Sequence, residues 1–343
     1  MLRALAKSAL MTIPPRNFRA LGRLTVFYMH GLVREYADPR VQRLHLKVDD
    51  FRATMRALKS WVTFVSIEEA LELSAAGKTK RAMAVLTSDD GYADNHDLLL
   101  PLTKELGIPL ALFVSTHHVD SGARFPTYLT RCFAYCADKG EYALPGVTER
   151  IVITADEASR LAASNALGQA IYRLPQEGVR KLCAAIVEKV GSARQAELDA
   201  KFDSDRPMTW AQLSAMRDAG VEIGAHCHEH AILHRGQPAD EIERQVMTSK
   251  TVLEDRLGRC RYFAFPVGNT THIGPEAVRT VRAAGFDAAF STINGTLAAS
   301  RDTFLLPRVM LNRDGRADEA RFPFTSLLND RTLPAKQASI TAA

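Results

Sequence analysis

An α/β fold organised around a parallel sheet or barrel is what three features of the sequence predict. Seven short runs rich in β-branched, aromatic and leucine residues recur along the chain. Each is apolar nearly throughout rather than alternating, as in strands covered on both faces. Helical patterns fall between most of them, and strand–helix alternation implies parallel pairing through right-handed crossovers.

The runs cover 24–30, 83–88, 110–116, 221–226, 262–267, 288–293 and 305–311. Helical spacing at 49–60 and 66–76 follows the first. The helix predicted over 94–106 has Leu98, Leu102 and Leu106 four apart, and Gly107 stops it. A helix over 209–219 opens at a good cap, Thr209, and ends at Gly220. The stretch 239–257 is long and charged, with Gly258 after it. The helix over 275–284 has proline in its first turn and Gly285 beyond its end.

Segment 120–206 breaks the rhythm. No strong strand is visible there. Leu167, Ile171 and Leu174, then Val179, Leu182, Ile186 and Val190, mark two helices separated around Pro175. The segment reads as a helical insertion on the rim, where it would either cover a substrate groove or act as packing. The expected organisation is a basic N-terminal tail (1–22), a barrel (23–320, insertion about 120–206) and a C-terminal tail (321–343) whose residues 332–343 read as disordered.

With 46% hydrophobic and 24% charged residues the composition is that of a soluble globular protein. No apolar run is long enough for a transmembrane helix. The net charge of +5 sits at the start: Arg3, Lys7, Arg16, Arg19, Arg23 and Arg34 precede the first acid, Glu35, and the remainder is near neutral. That argues against a nucleic-acid surface, which needs charge clustered across the fold. The basic head reads as a solvated terminus, with peripheral contact to anionic lipid as the alternative. Its apolar part is interrupted by Lys7 and followed by prolines, so it is read as no signal peptide. A cytoplasmic location, or the inner face of the membrane, is expected. The five cysteines have no paired CxxC spacing and read as buried thiols.

Two stretches carry chemistry. In LTSDDGYADNH, a greasy run ends on adjacent carboxylates, Asp89 and Asp90. Adjacent anions repel, and burying them needs a compensating partner such as a metal ion or a proton-transfer role. In VEIGAHCHEHAILH, His226 and His230 lie four apart just after a strand, a spacing that suits a divalent metal. With one aspartate they make a three-ligand site with open positions, the arrangement of catalytic zinc. His228 and His234 are rival ligands on spacing alone. Both stretches end predicted parallel strands, whose carboxyl ends gather on one face. A third strand end, RYFAFPVGN, carries a Pro-x-Gly turn whose backbone N–H groups would suit an oxyanion.

Here the chain resembles the polysaccharide deacetylases, the NodB-like carbohydrate esterases. Thr87-Ser88-Asp89-Asp90-Gly91 is similar to the family's TFDDG motif, His226-Cys227-His228-Glu229-His230 to its H-[ST]-x-x-H motif, and Phe263-Ala264-Phe265-Pro266-Val267-Gly268 to its third. FYMHGL resembles the family's first strand and LPRVML its last; the likeness runs from about Arg23 to Leu311, apart from the insertion. It implies a deformed (β/α)7 barrel of the NodB type with a helical insertion. It also implies a divalent metal, usually zinc with cobalt, nickel or manganese as alternatives, on Asp90, His226 and His230. Asp89 would be the general base, and the Val267 N–H would help hold the oxyanion. Three departures stand out. The arginine usual in the third motif is Ala264, and Arg308 at the last strand is taken as its replacement beside Asp89. No late Leu-x-His is visible; His30, ending the first strand, is taken as acid or supporting partner, with a histidine hydrogen-bonded under the site as the plain alternative. Ser88 stands where phenylalanine is usual and is expected to alter packing alone.

Trp61, Trp210, Cys227 and Tyr92 read as structural, and His117-His118 stay outside the catalytic set. The implied function is metal-dependent removal of an acyl group, chiefly acetyl, from an amino sugar in a glycan or lipid-linked glycan intermediate. The alternatives are an idle carbohydrate-binding relative, or a deformylase or cyclic-amide hydrolase of the same fold.

Overall fold

The structure is a computed structural model describing residues 24–76, 82–311 and 327–342; the basic segment 1–22 lies outside them. Its strands are β1 (Leu24–Met29), β2 (Gly31–Val33), β3 (His45–Lys47), β4 (Thr63–Phe64), β5 (Met83–Ser88), β6 (Leu110–Val114), β7 (Gly140–Tyr142), β8 (Ile151–Ile153), β9 (Glu222–Ala225), β10 (Tyr262–Ala264), β11 (Ala288–Phe290) and β12 (Val309–Met310). The main sheet runs β11-β10-β9-β6-β5-β1-β12, with β4 added beside the start of β5. Every pairing in it is parallel. A parallel bridge between Phe290 of β11 and Leu306, just ahead of β12, draws the two ends of the sheet together and curls it toward a barrel. All seven predicted runs contribute a strand.

Alternation explains the double burial. Val26, Val85, Ala111, Phe113, Tyr262 and Phe290 pack in one cluster, while Phe27, Leu86, Leu112 and Val114 pack in another against the helices. Gly224 is needed for that interior: a Cβ there would sit 2.6 Å from the Phe113 ring and 2.8 Å from the Tyr262 carbonyl. Register then sets the working face. Met29 pairs with Ser88, Ser88 with Leu112, and Val114 with Ala225, so residues 30, 89 and 226 leave the sheet on one side.

The predicted helices are found as Val48–Lys59, Ile67–Ala75, Leu100–Leu106, Trp210–Asp218, Ala239–Leu257 and Pro275–Ala283. Thr209 caps its helix with a capping box to Gln212. The stretch before Leu100 is a π turn, Asn95–Leu99, rather than α-helix.

Both helices expected in the insertion are present, Glu157–Arg173 and Gln176–Val190, separated at Pro175. They are joined by Pro126–Cys136, Ser192–Lys201 and the small antiparallel pair β7–β8, which the sequence reading lacked. The insertion has its own core of Phe125, Phe133, Leu167, Leu182 and Phe202, which includes Tyr92 and Ile232 from the barrel loops.

The C-terminal end departs from expectation. The sequence predicts a disordered tail over 332–343, but Leu327–Thr341 is a helix docked on the barrel. Leu333 and Ile340 are fully buried. The Gln337 amide donates to Ser300 Oγ and to the Leu305 carbonyl, and Arg235 donates to the Ser339, Ile340 and Ala342 carbonyls. Two buried residues seven apart make a stripe too narrow to read as amphipathic, and Pro334 masks it further. Among the described residues no helix is long and apolar enough to cross a membrane.

Candidate active site

β5 delivers the carboxylate pair. The Asp89 N–H donates to the Met29 carbonyl at 2.9 Å, extending the β1–β5 ladder by one residue. The chain then turns through two left-handed residues, Asp90 (φ 73) and Gly91 (φ 87). A non-glycine residue at positive φ is disfavoured and marks a constrained position. The described residues hold four of them: Asp90, Cys227 (φ 61), His230 (φ 55) and Val267 (φ 60). All four lie in the three motif loops.

The two aspartates have different surroundings. Asp89 is gripped by Arg308: Oδ1 to Nη1 is 2.7 Å and Oδ2 to Nη2 is 2.8 Å. Arg308 is completely buried. It also donates through Nε to the Ser291 carbonyl at 3.1 Å, and its guanidinium lies 4.6 Å from the Tyr28 ring centroid. Burial pushes the Asp89 carboxyl up, but the Arg308 charge, the His226 ring and the hydrogen bonds from Arg308 outweigh it and hold it below the ordinary range.

Asp90 instead faces imidazoles. Its Oδ1 lies 3.1 Å from His230 Nε2 and 3.5 Å from His226 Nε2. The alignment does not make a hydrogen bond, so this buried oxygen faces the two rings without a hydrogen-bond partner. Burial raises the Asp90 carboxyl; the facing His230 and His226 rings overcome that and hold it well below its usual range. One ligand atom from each of Asp90, His226 and His230 lies within 4.8 Å of the others. The His226 Nδ1 contacts the Ala264 carbonyl at 2.7 Å, so Nδ1 carries the hydrogen and Nε2 presents its lone pair. Two imidazole nitrogens and one carboxylate oxygen, buried and converging, fit a divalent cation of the zinc class.

The remaining predicted residues sort clearly. His30 is close enough to feel the charges of Asp90, Asp89, His226 and Arg308; burial first, against the two aspartates, keeps its pKa lowered. Its Nδ1 has no protein partner. Val267 heads the left-handed turn after β10, with its carbonyl accepting from Thr292 Oγ1 at 2.6 Å. The rival histidines are engaged elsewhere: His228 Nδ1 with Thr116 Oγ1 at 2.8 Å, and His234 Nε2 with the Leu174 carbonyl at 3.1 Å. His118 is stacked on Phe125 at 4.0 Å, and Nδ1 contacts the Ala123 carbonyl at 2.7 Å. Tyr92 and Trp61 are buried walls, and Cys227 is buried against the Ala231 carbonyl. Trp210 donates to Asp120 Oδ1 at 2.7 Å.

Ser88 does more than alter packing. Its Oγ donates to the His30 carbonyl at 2.7 Å, and Asn95 Nδ2 donates to the same oxygen at 2.8 Å. Two partners thus fix the backbone that carries the His30 ring. Sequence reasoning also missed Glu229, inside the second motif, which is held by Arg180 and Arg244. Nothing in the linear order marks a bond across 49 positions.

Comparison with known proteins follows the same lines. The polysaccharide deacetylase family model matches residues 76–289, more than half of the chain. Among solved structures, the Streptococcus pyogenes deacetylase PplD in complex with acetate is 13% identical with a TM-score of 0.58, over 88% of this chain and 98% of that one. IcaB from Ammonifex degensii is 17% identical with a TM-score of 0.55, over 88% and 97%. The BpsB deacetylase domain from Bordetella bronchiseptica is 16% identical with a TM-score of 0.50, over 85% and 97%. At such identities these structures speak for the fold alone. No curated protein sequence matches the chain. The family match and the shared barrel lead to one conclusion: the chain belongs to the polysaccharide deacetylase family.

Proposed function

We propose that the protein is a divalent-metal-dependent N-deacetylase acting on an acetylated amino sugar within a glycan or glycan precursor. The observation that carries this reading is the unpartnered, buried Asp90 oxygen facing His226 and His230. When bound there, a zinc-class ion would supply Lewis acidity to a water molecule and to the amide carbonyl.

The chain's own groups divide the remaining work. Arg308 keeps Asp89 ionised and fixes the plane of its carboxylate, so Asp89 is always ready to accept a proton. The same contact makes it a weak base, which suits a water already acidified. The N–H of Val267 is our donor to the developing oxyanion. The amine must leave with a proton, and His30 is our acid: neutral at rest, it takes up the proton that Asp89 removes from water and passes it to the nitrogen, which returns both groups to their starting states. Tying the His30 backbone through Ser88 and Asn95 limits its reach to that face.

The test is acetate release from N-acetylated oligosaccharides with added zinc or cobalt. Asp89→Asn is expected to lower kcat by 10²-fold or more, on the order of a lost general base, while still binding metal. His30→Ala should lower kcat in the same way with metal content unchanged. An idle, sugar-binding relative would bind metal and oligosaccharide yet release no acetate, and that outcome would end this reading.

A further inference from the structure

The loop that carries His230 is strained at two places, and the barrel does not hold it alone. Cys227 and His230 are both left-handed although both bear a Cβ. Such a backbone persists where its surroundings over-determine it. Part of that comes from the barrel helix Ala239–Leu257: the His228 N–H donates to the Gln245 carbonyl at 3.0 Å and the Glu229 N–H to Gln245 Oε1 at 2.7 Å.

The rest comes from the insertion. Glu229 Oε2 accepts from Arg180 Nε at 2.8 Å and from Gln176 Nε2 at 3.2 Å, both on the helix Gln176–Val190. Its Oε1 accepts from Arg244 at 2.8 Å. Glu241 closes the cluster, with Oε1 at 2.7 Å from Arg180 Nη2 and 2.8 Å from Arg244 Nη2. Glu229 and Glu241 are 15% and 16% exposed, so this is a half-buried network of four alternating charges rather than an isolated surface pair. A second tie lies beyond His230: the Gln176 N–H donates to Gln237 Oε1 at 3.0 Å, and Gln237 Nε2 donates to the Ile232 carbonyl at 2.9 Å. One helix therefore grips the chain on both sides of His230. His230 lines a small cavity together with Leu174, Gln176 and Val179 of the insertion.

We propose that the helix Gln176–Val190 is a positioning element for the metal centre, with Arg180, through Glu229, holding His230 at its ligating geometry. This inference rests on the metal reading given above and gives the insertion a task at that site. Groups one step removed from a metal orient its ligands, and losing one costs about 10–100-fold in metal affinity.

The experiment compares full-length wild type with Arg180→Ala, Arg180→Lys and a control, Arg194→Ala, which removes an exposed pair to Glu197 in the same insertion. Zinc affinity is read by chelator competition, and the cobalt form by its d–d spectrum. Backbone exchange over 226–231 is read in metal-free protein. Arg180→Ala is expected to weaken zinc binding about tenfold, shift the cobalt spectrum and speed exchange in that segment. Arg180→Lys should recover part of each, and Arg194→Ala should match wild type. Zinc affinity unchanged in Arg180→Ala overturns the inference, as does equal weakening in Arg194→Ala. His226→Ala, run in parallel, tests the metal reading separately: zinc bound as tightly as in wild type would count against the centre itself. The exchange arm needs no metal, so the two failures are distinguishable.

Discussion

The Asp89–Arg308 pair decides how the carboxylate doublet survives burial. Two oxygens and two guanidinium nitrogens meet in parallel at 2.7 and 2.8 Å, with Arg308 wholly enclosed. Removing one partner of such a pair leaves an uncompensated charge, so Arg308→Met should cost about 3–5 kcal/mol. The pH dependence follows from the sign of the shift. The folded Asp89 pKa lies below its unfolded value of about 4, so the unfolded chain binds the extra proton. The pair's contribution is therefore complete above pH ~4 and is lost as pH falls toward the folded pKa. Urea titrations across that range should show wild type losing stability on acidification, and Arg308→Met losing less from this source. The doublet and the two histidines were legible in the sequence because their chemistry is local and their spacing short. Ala264 in place of the usual arginine calls for another cation beside Asp89, and Arg308 on the last strand run answers it. The part played by the Ser88 hydroxyl is not legible, because its partner is the backbone carbonyl of His30, 58 positions away between two strands.

Elements were legible where burial wrote itself into periodicity. The seven barrel strands read as apolar runs because both their faces are covered. The two insertion helices read as leucine and isoleucine stripes. The C-terminal helix failed this test: its anchoring is done by two apolar residues and by polar bonds from Gln337 and Asp330, which a polar sequence does not advertise. Its docking makes a clear prediction. Leu333→Ala should destabilise the protein by about 2–5 kcal/mol in denaturant unfolding. Leu161→Ala, at a position half exposed, should change it little. The small β7–β8 pair was also invisible, since three-residue strands are too short to establish alternation.

At the scale of the molecule, a sheet and an insertion converge on the cluster of Asp90, His226 and His230. Binding that favours the folded state raises apparent stability by mass action, by about 2.7 kcal/mol at a hundredfold excess over Kd. Stripping metal with a chelator is expected to lower Tm and abolish acetate release, and zinc should restore both. His226→Ala should show no zinc-dependent rise in Tm. The closed sheet could be anticipated from strand–helix alternation, but not the way the insertion bends back onto the loops, because that depends on contacts between residues far apart in the chain.

The four left-handed residues carry a consequence for engineering. Asp90, Cys227, His230 and Val267 hold conformations that glycine would adopt without penalty. A laboratory selection for heat resistance alone would be drawn to these sites; at Asp90 and His230 it would discard the side chains of the proposed metal site, whereas Val267→Gly would keep its backbone N–H. Durable variants of this protein should instead be sought on the outer helices, away from the rim where the backbone is kept under tension.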